Sequence, residues 1–383
     1  MTRKAYASGG SSTPPLVIDR DTVSDPQLLA VAAKLSDGKR LEREHGLALM
    51  TSRDLLGLSA LAHPVRSAFS GRAVFYVVNQ HLNYTNICAN RCSFCAYRRR
   101  EGDDGAYLLS PRQAAERVSR DHHPAVDELH IVGGCHPEMG LSYYCELLAA
   151  LREAQPAATL KAFTAVEIDH IARLESREPA EVIAELKRAG LQAMPGGGAE
   201  VFAPRVRQAL CPDKADAARW LAISGEAHRQ GIASNATMLY GHIETPEERV
   251  DHLLALRQQQ DRSGGFNAFI PLAFHPDNTR LKGIKPTTAL DDLRVIATAR
   301  LLLDNFPHVK AYWVMLGPKL AQVALSFGAD DLDGTIVEER ITHSAGATTA
   351  TGLTESQLRG MIQAAGFRPV RRDGAYRSLE DQP

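Results

Sequence analysis

Residues 73–95, AVFYVVNQHLNYTNICANRCSFC, begin as a continuous apolar run and end in a loop that holds three cysteines within eight positions. The run AVFYVVN is too short for a helix and is bounded by Gly71 and by polar residues, which predicts a strand buried on both faces. Further runs of the same kind follow: ELHIVGG (128–134), LKAFTAV (160–166), LQAMPGG (191–197), ASNATMLYG (233–241), NAFIPLAFH (267–275), VKAYWVML (309–316) and LDGTIVEE (332–339). Between them lie amphipathic segments such as PTTALDDLRVIATARLLLDNF (286–306), where Leu293, Ile296, Ala297 and Leu301 line one helical face. A strand–helix alternation repeated this often predicts an α/β fold, a (βα) TIM-type barrel, complete or nearly complete.

The flanks divide the rest of the chain. Residues 1–20 are rich in Gly, Ser, Thr and Pro and read as a disordered tail. Residues 21–70 carry helical periodicity and are expected to cap one end of the barrel, which takes up residues 71–345. Residues 346–383 form a C-terminal extension, in which TESQLRGMIQAAGFRPVRR (354–372) reads as a helix and strand packed on the outside.

With 44 Lys+Arg against 45 Asp+Glu in 383 residues, overall charge argues against nucleic acid or an anionic membrane as partner and toward a small molecule. The first twenty residues have no apolar core of a signal peptide, and no stretch approaches 18 uninterrupted apolar residues, so a cytoplasmic protein is expected. Six cysteines are too few and too unevenly placed for a disulfide framework. Cys135, Cys145 and Cys211 read as ordinary buried or half-buried thiols.

In such barrels functional groups gather at the C-terminal ends of the strands. Those ends carry Cys88, Cys92 and Cys95 after the first run, GGCHPE (133–138) after the second and Glu167 after the third. GGGAE (196–200), GHIET (241–245) and HPDNT (275–279) follow the next three. Cys88-x3-Cys92-x2-Cys95 is not a structural zinc pattern, which needs four ligands. Three thiolates on one loop suit three corners of a [4Fe-4S] cluster and leave the fourth iron open to a ligand.

That spacing, with Phe94 just before the last cysteine, resembles the signature of the radical S-adenosylmethionine (SAM) superfamily. The segments NYTNICANRCSFCAYRR, HIVGGCHPE, KAFTAVEIDH, PGGGAEVFAPRVR, SNATMLYGHIETPEERVDHL, FIPLAFHPDNT and KAYWVMLGPKLAQVALSFGADDLDGTIVEERI are together similar to the aminofutalosine synthases, from about residue 72 to about residue 345. The cyclic dehypoxanthinylfutalosine synthases and the deazaflavin-forming enzymes are the related alternatives. A non-enzymatic iron–sulfur or zinc protein is the alternative of another class.

The resemblance implies a transferase of menaquinone biosynthesis, with a [4Fe-4S] cluster on Cys88, Cys92 and Cys95 and SAM as co-substrate. The 5′-deoxyadenosyl radical would add to 3-[(1-carboxyvinyl)oxy]benzoate. Aryl migration and decarboxylation would then give 6-amino-6-deoxyfutalosine, with methionine released. It further implies that Phe94 packs beside the adenine, that Gly133 and Gly134 receive the SAM amino group, and that Glu167 hydrogen-bonds a ribose or the methionyl amine. The superfamily motif often continues with Glu, whereas this chain has Cys135-His136-Pro137-Glu138.

Burying a substrate with two carboxylates requires donors or positive charge. Asn235, His242, Glu244 and His275 at strand ends, with Arg205 or Arg280 from loops, are the candidates. Gly196-Gly197-Gly198 lacks the Lys-Ser/Thr of a phosphate loop and suits close approach of a ligand instead. Arg98, Arg99 and Arg100 read either as a solvated face or as a docking patch for an acidic electron donor such as flavodoxin or ferredoxin.

Overall fold

Among the described residues the apolar runs fold into ten strands. β1 (Ala73–Val77) and β2 (Asn79–Leu82) are successive halves of one stave. They are followed by β3 (Glu128–Ile131), β4 (Thr159–Ala162), β5 (Ala193–Met194), β6 (Ala233–Tyr240), β7 (Phe266–Ala273), β8 (His308–Val309), β9 (Asp331–Gly334) and β10 (Arg368–Arg371). These are elements of a computed structural model, which describes residues 16–120, 126–337 and 339–380.

Strands β2 to β8 pair in parallel and in chain order. β9 pairs in parallel with β1, meets β8 through the bridge Lys310↔Asp331, and continues into the bridge Gln80↔Val337. The ring therefore closes as a (βα) barrel of parallel staves. Both faces of each stave are covered, which is why the strands read as apolar runs and not as alternation.

Of the three N-terminal helices, α1 (Pro26–Ser36), α2 (Arg43–Thr51) and α3 (Leu55–Ser70), the first and third start where a short aspartate side chain caps them. Asp25 accepts from the Gln27 N–H and Asp54 from the Gly57 N–H. The expectation that they cap an end of the barrel is corrected. α2 and α3 lie against the outer helices Pro246–Ser263 and Ala289–Leu302. The contact is close: a Cβ on Gly46 would stand 2.8 Å from Leu302 and 2.9 Å from Val250.

Three more expectations change. Residues 1–15 of the expected tail lie outside the described residues, while Leu16 and Ile18 pack against the core. VKAYWVML is a strand only at its start; Trp313–Leu316 is helical, and the Trp313 indole N–H reaches the Gly334 carbonyl at 2.9 Å. The C-terminal segment is not an outer layer, because β10 pairs in parallel with β1, Ala73 opposite Arg368.

Residues just beyond β10 fill the N-terminal end of the barrel. Arg372 lies 2.7 Å from Asp331 and 3.9 Å from Glu128, and the Tyr376 ring lies under its guanidinium at 4.0 Å. Lys161 pairs with Glu128, and Lys310 with Asp333 at 2.9 Å. Three buried cations thus face three buried carboxylates, the arrangement that makes burial of each tolerable.

Candidate active site

At the opposite, C-terminal end of the barrel lies a cavity of about 300 Å³. Its outer wall is the loop after β2, with Cys88, Cys92, Phe94 and Cys95 facing inward. Backbone pairing fixes this loop: Thr85↔Leu108 and Ile87↔Arg99 are bridges, and the Cys88 N–H donates to the Arg99 carbonyl at 3.1 Å. The Arg99 guanidinium gathers the carbonyls of Ala96 (3.1 Å), Arg98 (3.0 Å) and Asp104 (3.3 Å). Five donors on a planar fork let one side chain hold several carbonyls of a turn.

The glycines after β3 admit the loop. A Cβ on Gly134 would stand 2.2 Å from the Ile87 carbonyl oxygen and 3.0 Å from the Cys88 Cβ, and one on Gly133 would meet the Tyr84 ring at 2.6 Å. Tyr84 in turn donates to Glu167 Oε1 at 2.7 Å, and the Gly133 N–H reaches the same oxygen at 3.1 Å. The other oxygen, Oε2, accepts from the Thr164 N–H (2.7 Å) and hydroxyl (2.8 Å), closing a capping box at the start of the helix Ala165–Leu174. Glu167 lines the cavity and also ties the glycine turn to the next helix.

The three thiols are free, and Cys88 accepts the Cys135 N–H at 3.3 Å. The Cys135 thiol, hydrogen-bonded to Cys88, draws the Cys88 thiol down to about 6, whereas burial pushes Cys92 up to about 12 and Cys95 upward. Among the described residues, three ligand atoms lie within 4.8 Å of one another only at the surface group Glu42, Glu44 and His45. At least one pair of the three sulfurs is therefore too far apart to share a single ion. Three soft donors on one wall of the cavity are a donor set that suits an iron–sulfur cluster.

Opposite Phe94 stands Lys214, its Nζ 5.0 Å from the ring centroid and 2.7 Å from Glu200 Oε1. Glu200 holds a left-handed backbone, φ +48°, and Phe163 another at +55°. Such strain at the C-terminal ends of barrel staves is kept where surrounding packing fixes a side chain's aim. Gly196, Gly197 and Gly198 line the same wall. On Gly196 a Cβ would collide with the backbone of Asn235 at 2.6 Å, and on Gly198, at φ +84°, with Val166 at 2.4 Å.

Several candidates read from the sequence stand away from this cavity. His242 is sealed from solvent between the Leu239 carbonyl (2.8 Å) and Glu244 (2.6 Å), and Glu244 also takes Arg249 at 2.6 Å. Both residues are spent on the turn before the helix Pro246–Ser263. Arg205 pairs on the surface with Glu248 at 2.7 Å. His275 lies 3.2 Å from the Met315 carbonyl beside a separate groove, and Arg280 donates to the Arg91 carbonyl. Asn235 shares its face of β6 with the cavity-lining Thr237 and sits one layer deeper in the barrel. Of the three arginines, Arg98 lines the cavity with its Nε–H on the Cys88 carbonyl at 3.0 Å, Arg99 is consumed by the loop, and only Arg100 is exposed.

The cavity contains groups not singled out in the sequence: His81, His130, Tyr312, Asp333 and Lys214. Polar residues inside otherwise apolar strand runs, as in NQHL and ELHI, were the available signal. No helix is long and apolar enough to cross a membrane among the described residues.

Comparison with known proteins places this arrangement. Residues 82–256 match the model of the Radical SAM superfamily, and residues 263–382 match that of the CofH/MqnC C-terminal region. The chain is 48% identical to an aminodeoxyfutalosine synthase of Thermus thermophilus, over 93% of this chain and 97% of that protein. It is 42% identical to an aminodeoxyfutalosine synthase of Streptomyces coelicolor, over 91% and 93%. It is also 39% identical to a 5-amino-6-(D-ribitylamino)uracil–L-tyrosine 4-hydroxyphenyl transferase of Methanopyrus kandleri, over 94% and 98%. In fold it resembles methylornithine synthase, with a TM-score of 0.70 at 17% identity, covering 89% of this chain and 97% of that one.

Proposed function

The chain belongs to the radical SAM superfamily, among the enzymes related to aminodeoxyfutalosine synthase, and from that premise we propose that it makes 6-amino-6-deoxyfutalosine from SAM and 3-[(1-carboxyvinyl)oxy]benzoate. It is an enzyme of the transferase type that uses a [4Fe-4S] cluster and SAM. In the proposed reaction the 5′-deoxyadenosyl carbon bonds to the vinyl carbon, the aryl group migrates from the ether oxygen to the adjacent carbon, which becomes the ketone, and the enolpyruvyl carboxyl leaves as carbon dioxide, giving back the one electron spent in releasing methionine. The observation that carries the reading is the 48% identity to a named synthase over nearly the whole of both chains, together with one cavity lined by all three cysteines.

Cys88, Cys92 and Cys95 would hold the cluster, which when bound supplies the electron that cleaves SAM. The chain's own residues then do the positioning. Phe94 and Lys214 form the wall on which the adenine would lie, and Gly133, Gly134 and Glu167 set the backbone edge facing the methionyl amine. Gly196–Gly198 leave room for a ligand to touch backbone. The depth of the cavity within the barrel keeps a radical away from water.

A second reading is favoured by the similarity to the archaeal transferase, whose name gives tyrosine as the donor of a 4-hydroxyphenyl group. Anaerobic reconstitution with iron and sulfide, then SAM, reductant and each substrate set, separates the two by product mass. A covalent adenosyl–benzoate product supports the synthase. Turnover only with tyrosine and the ribitylaminouracil overturns it.

A further inference from the structure

One arc of the cavity carries no task in the reading above. In barrel order it runs through Tyr312, just beyond β8, Asp333 on β9, His81 on β2 and His130 on β3. The stretch of wall adjoining it is apolar, with Ile270 and Leu272 on the neighbouring β7 and Met315 just after Tyr312.

His81 is 7% exposed, and its Nε2 is sealed from solvent with no hydrogen-bond partner among the described residues. Its ring stacks on His130, centroids 4.5 Å apart and planes 15° from parallel. Tyr312 is 8% exposed, and its hydroxyl, which is not sealed from the cavity as His81 Nε2 is, makes no hydrogen bond among the described residues. A buried donor such as the His81 Nε2 is satisfied by a bound group when the protein offers none.

The acids of this arc are already answered. Asp333, at φ +67°, takes Lys310 at 2.9 Å, and Glu339 takes His343 at 2.8 Å. What the arc presents is neutral N–H and O–H donors with a cation behind them. Burial and the neighbouring His130 hold His81 down to about 3, so it donates as a neutral ring.

We propose that His81 and Tyr312 form the subsite for the ring carboxylate of an aromatic substrate, whose aryl face lies against Ile270, Leu272 and Met315. The identity of that substrate rests on the synthase reading. The carboxylate accepts from the His81 ring and from the Tyr312 hydroxyl, and His130 keeps the His81 ring from turning. Hydrogen bonds to a charged acceptor in a dry cavity are the strong ones, which makes this pair a determinant of specificity.

The test uses the reconstituted enzyme with SAM bound and two probes, 3-[(1-carboxyvinyl)oxy]benzoate and the same ether without its ring carboxylate. Tyr312→Phe and His81→Phe preserve the volume or the stack and remove the donors. Each should raise Kd for the benzoate about 10- to 100-fold and leave Kd for the truncated ether within about twofold. His81→Gln should recover much of the loss. SAM affinity and iron content should stay at wild-type levels. Equal losses for both probes, or none for either, would overturn the subsite. If the wild type bound the benzoate through these donors yet made no adenosyl product, the subsite would stand and the synthase reading would fall.

Discussion

Gly134 and Ile87 touch so closely that a Cβ on the glycine would stand 2.2 Å from the isoleucine carbonyl oxygen. The end of β3 and the cysteine loop are thus a single packed unit. Gly134→Ala must push the loop outward, at a cost of about 1–3 kcal/mol for overpacking. The barrel should still fold, with unchanged far-UV circular dichroism, while iron and sulfide bound per chain fall by more than half. Full cluster loading in the variant would contradict this role for the contact.

Arg99 and Arg100 should behave as opposites although they are adjacent. Arg99→Met removes the fork that gathers four loop carbonyls, so cluster content and SAM cleavage should both drop severalfold. Arg100→Glu lies on an exposed position and should leave dithionite-driven turnover unchanged. If an acidic donor docks here, donor-driven turnover in Arg100→Glu should fall at low salt and recover toward wild type as salt rises.

Glu244 gives a pH signature that is structural. Burial would raise its carboxyl, but the bonds from His242, Arg249 and Gly241 outweigh this and hold it at about 2, against an ordinary value of about 4.5. A depressed carboxylate contributes stability above its unfolded pKa and loses it as pH falls toward the folded value. The window therefore runs from about 4.5 down to about 2, and the contribution is roughly 3 kcal/mol. Glu244→Gln should lower the urea midpoint at pH 7 and flatten its dependence on pH through that window. An unchanged acid limb would refute the assignment.

Arg372 anchors the inner end of the barrel against Asp331 and Glu128. Arg372→Met leaves two buried carboxylates with less compensation, a loss of about 3–5 kcal/mol. The expected result is a large fall in the denaturation midpoint with cysteine accessibility in the native protein unaltered. A variant as stable as wild type would show that Lys161 and Lys310 suffice for the charge balance.

The barrel and the metal loop were legible because each depends on local pattern: short apolar runs for staves, and thiol spacing for the cluster. The substrate wall was not. His81 and His130 sit in strands whose inward and outward residues differ by one register step, and nothing in NQHL or ELHI alone tells which way the imidazole points. His242 and Glu244 misled for the opposite reason. GHIET ends a strand, where functional groups collect, but its side chains are consumed by the turn and by Arg249. In VKAYWVML an apolar run does not by itself separate strand from buried helix, and Trp313–Leu316 takes the helical form.

The pairing of Ala73 with Arg368 joins positions roughly 300 residues apart. During synthesis the cysteine loop is complete long before β10 and the Arg372–Tyr376 segment have left the ribosome, so the stave that carries the loop waits without its neighbour. At the usual pace of about 5–20 residues per second, that interval is of the order of tens of seconds. A loop carried on a stave without its neighbour is less protected, so conditions that slow elongation should increase the fraction of nascent protein whose thiols are oxidised before any cluster arrives.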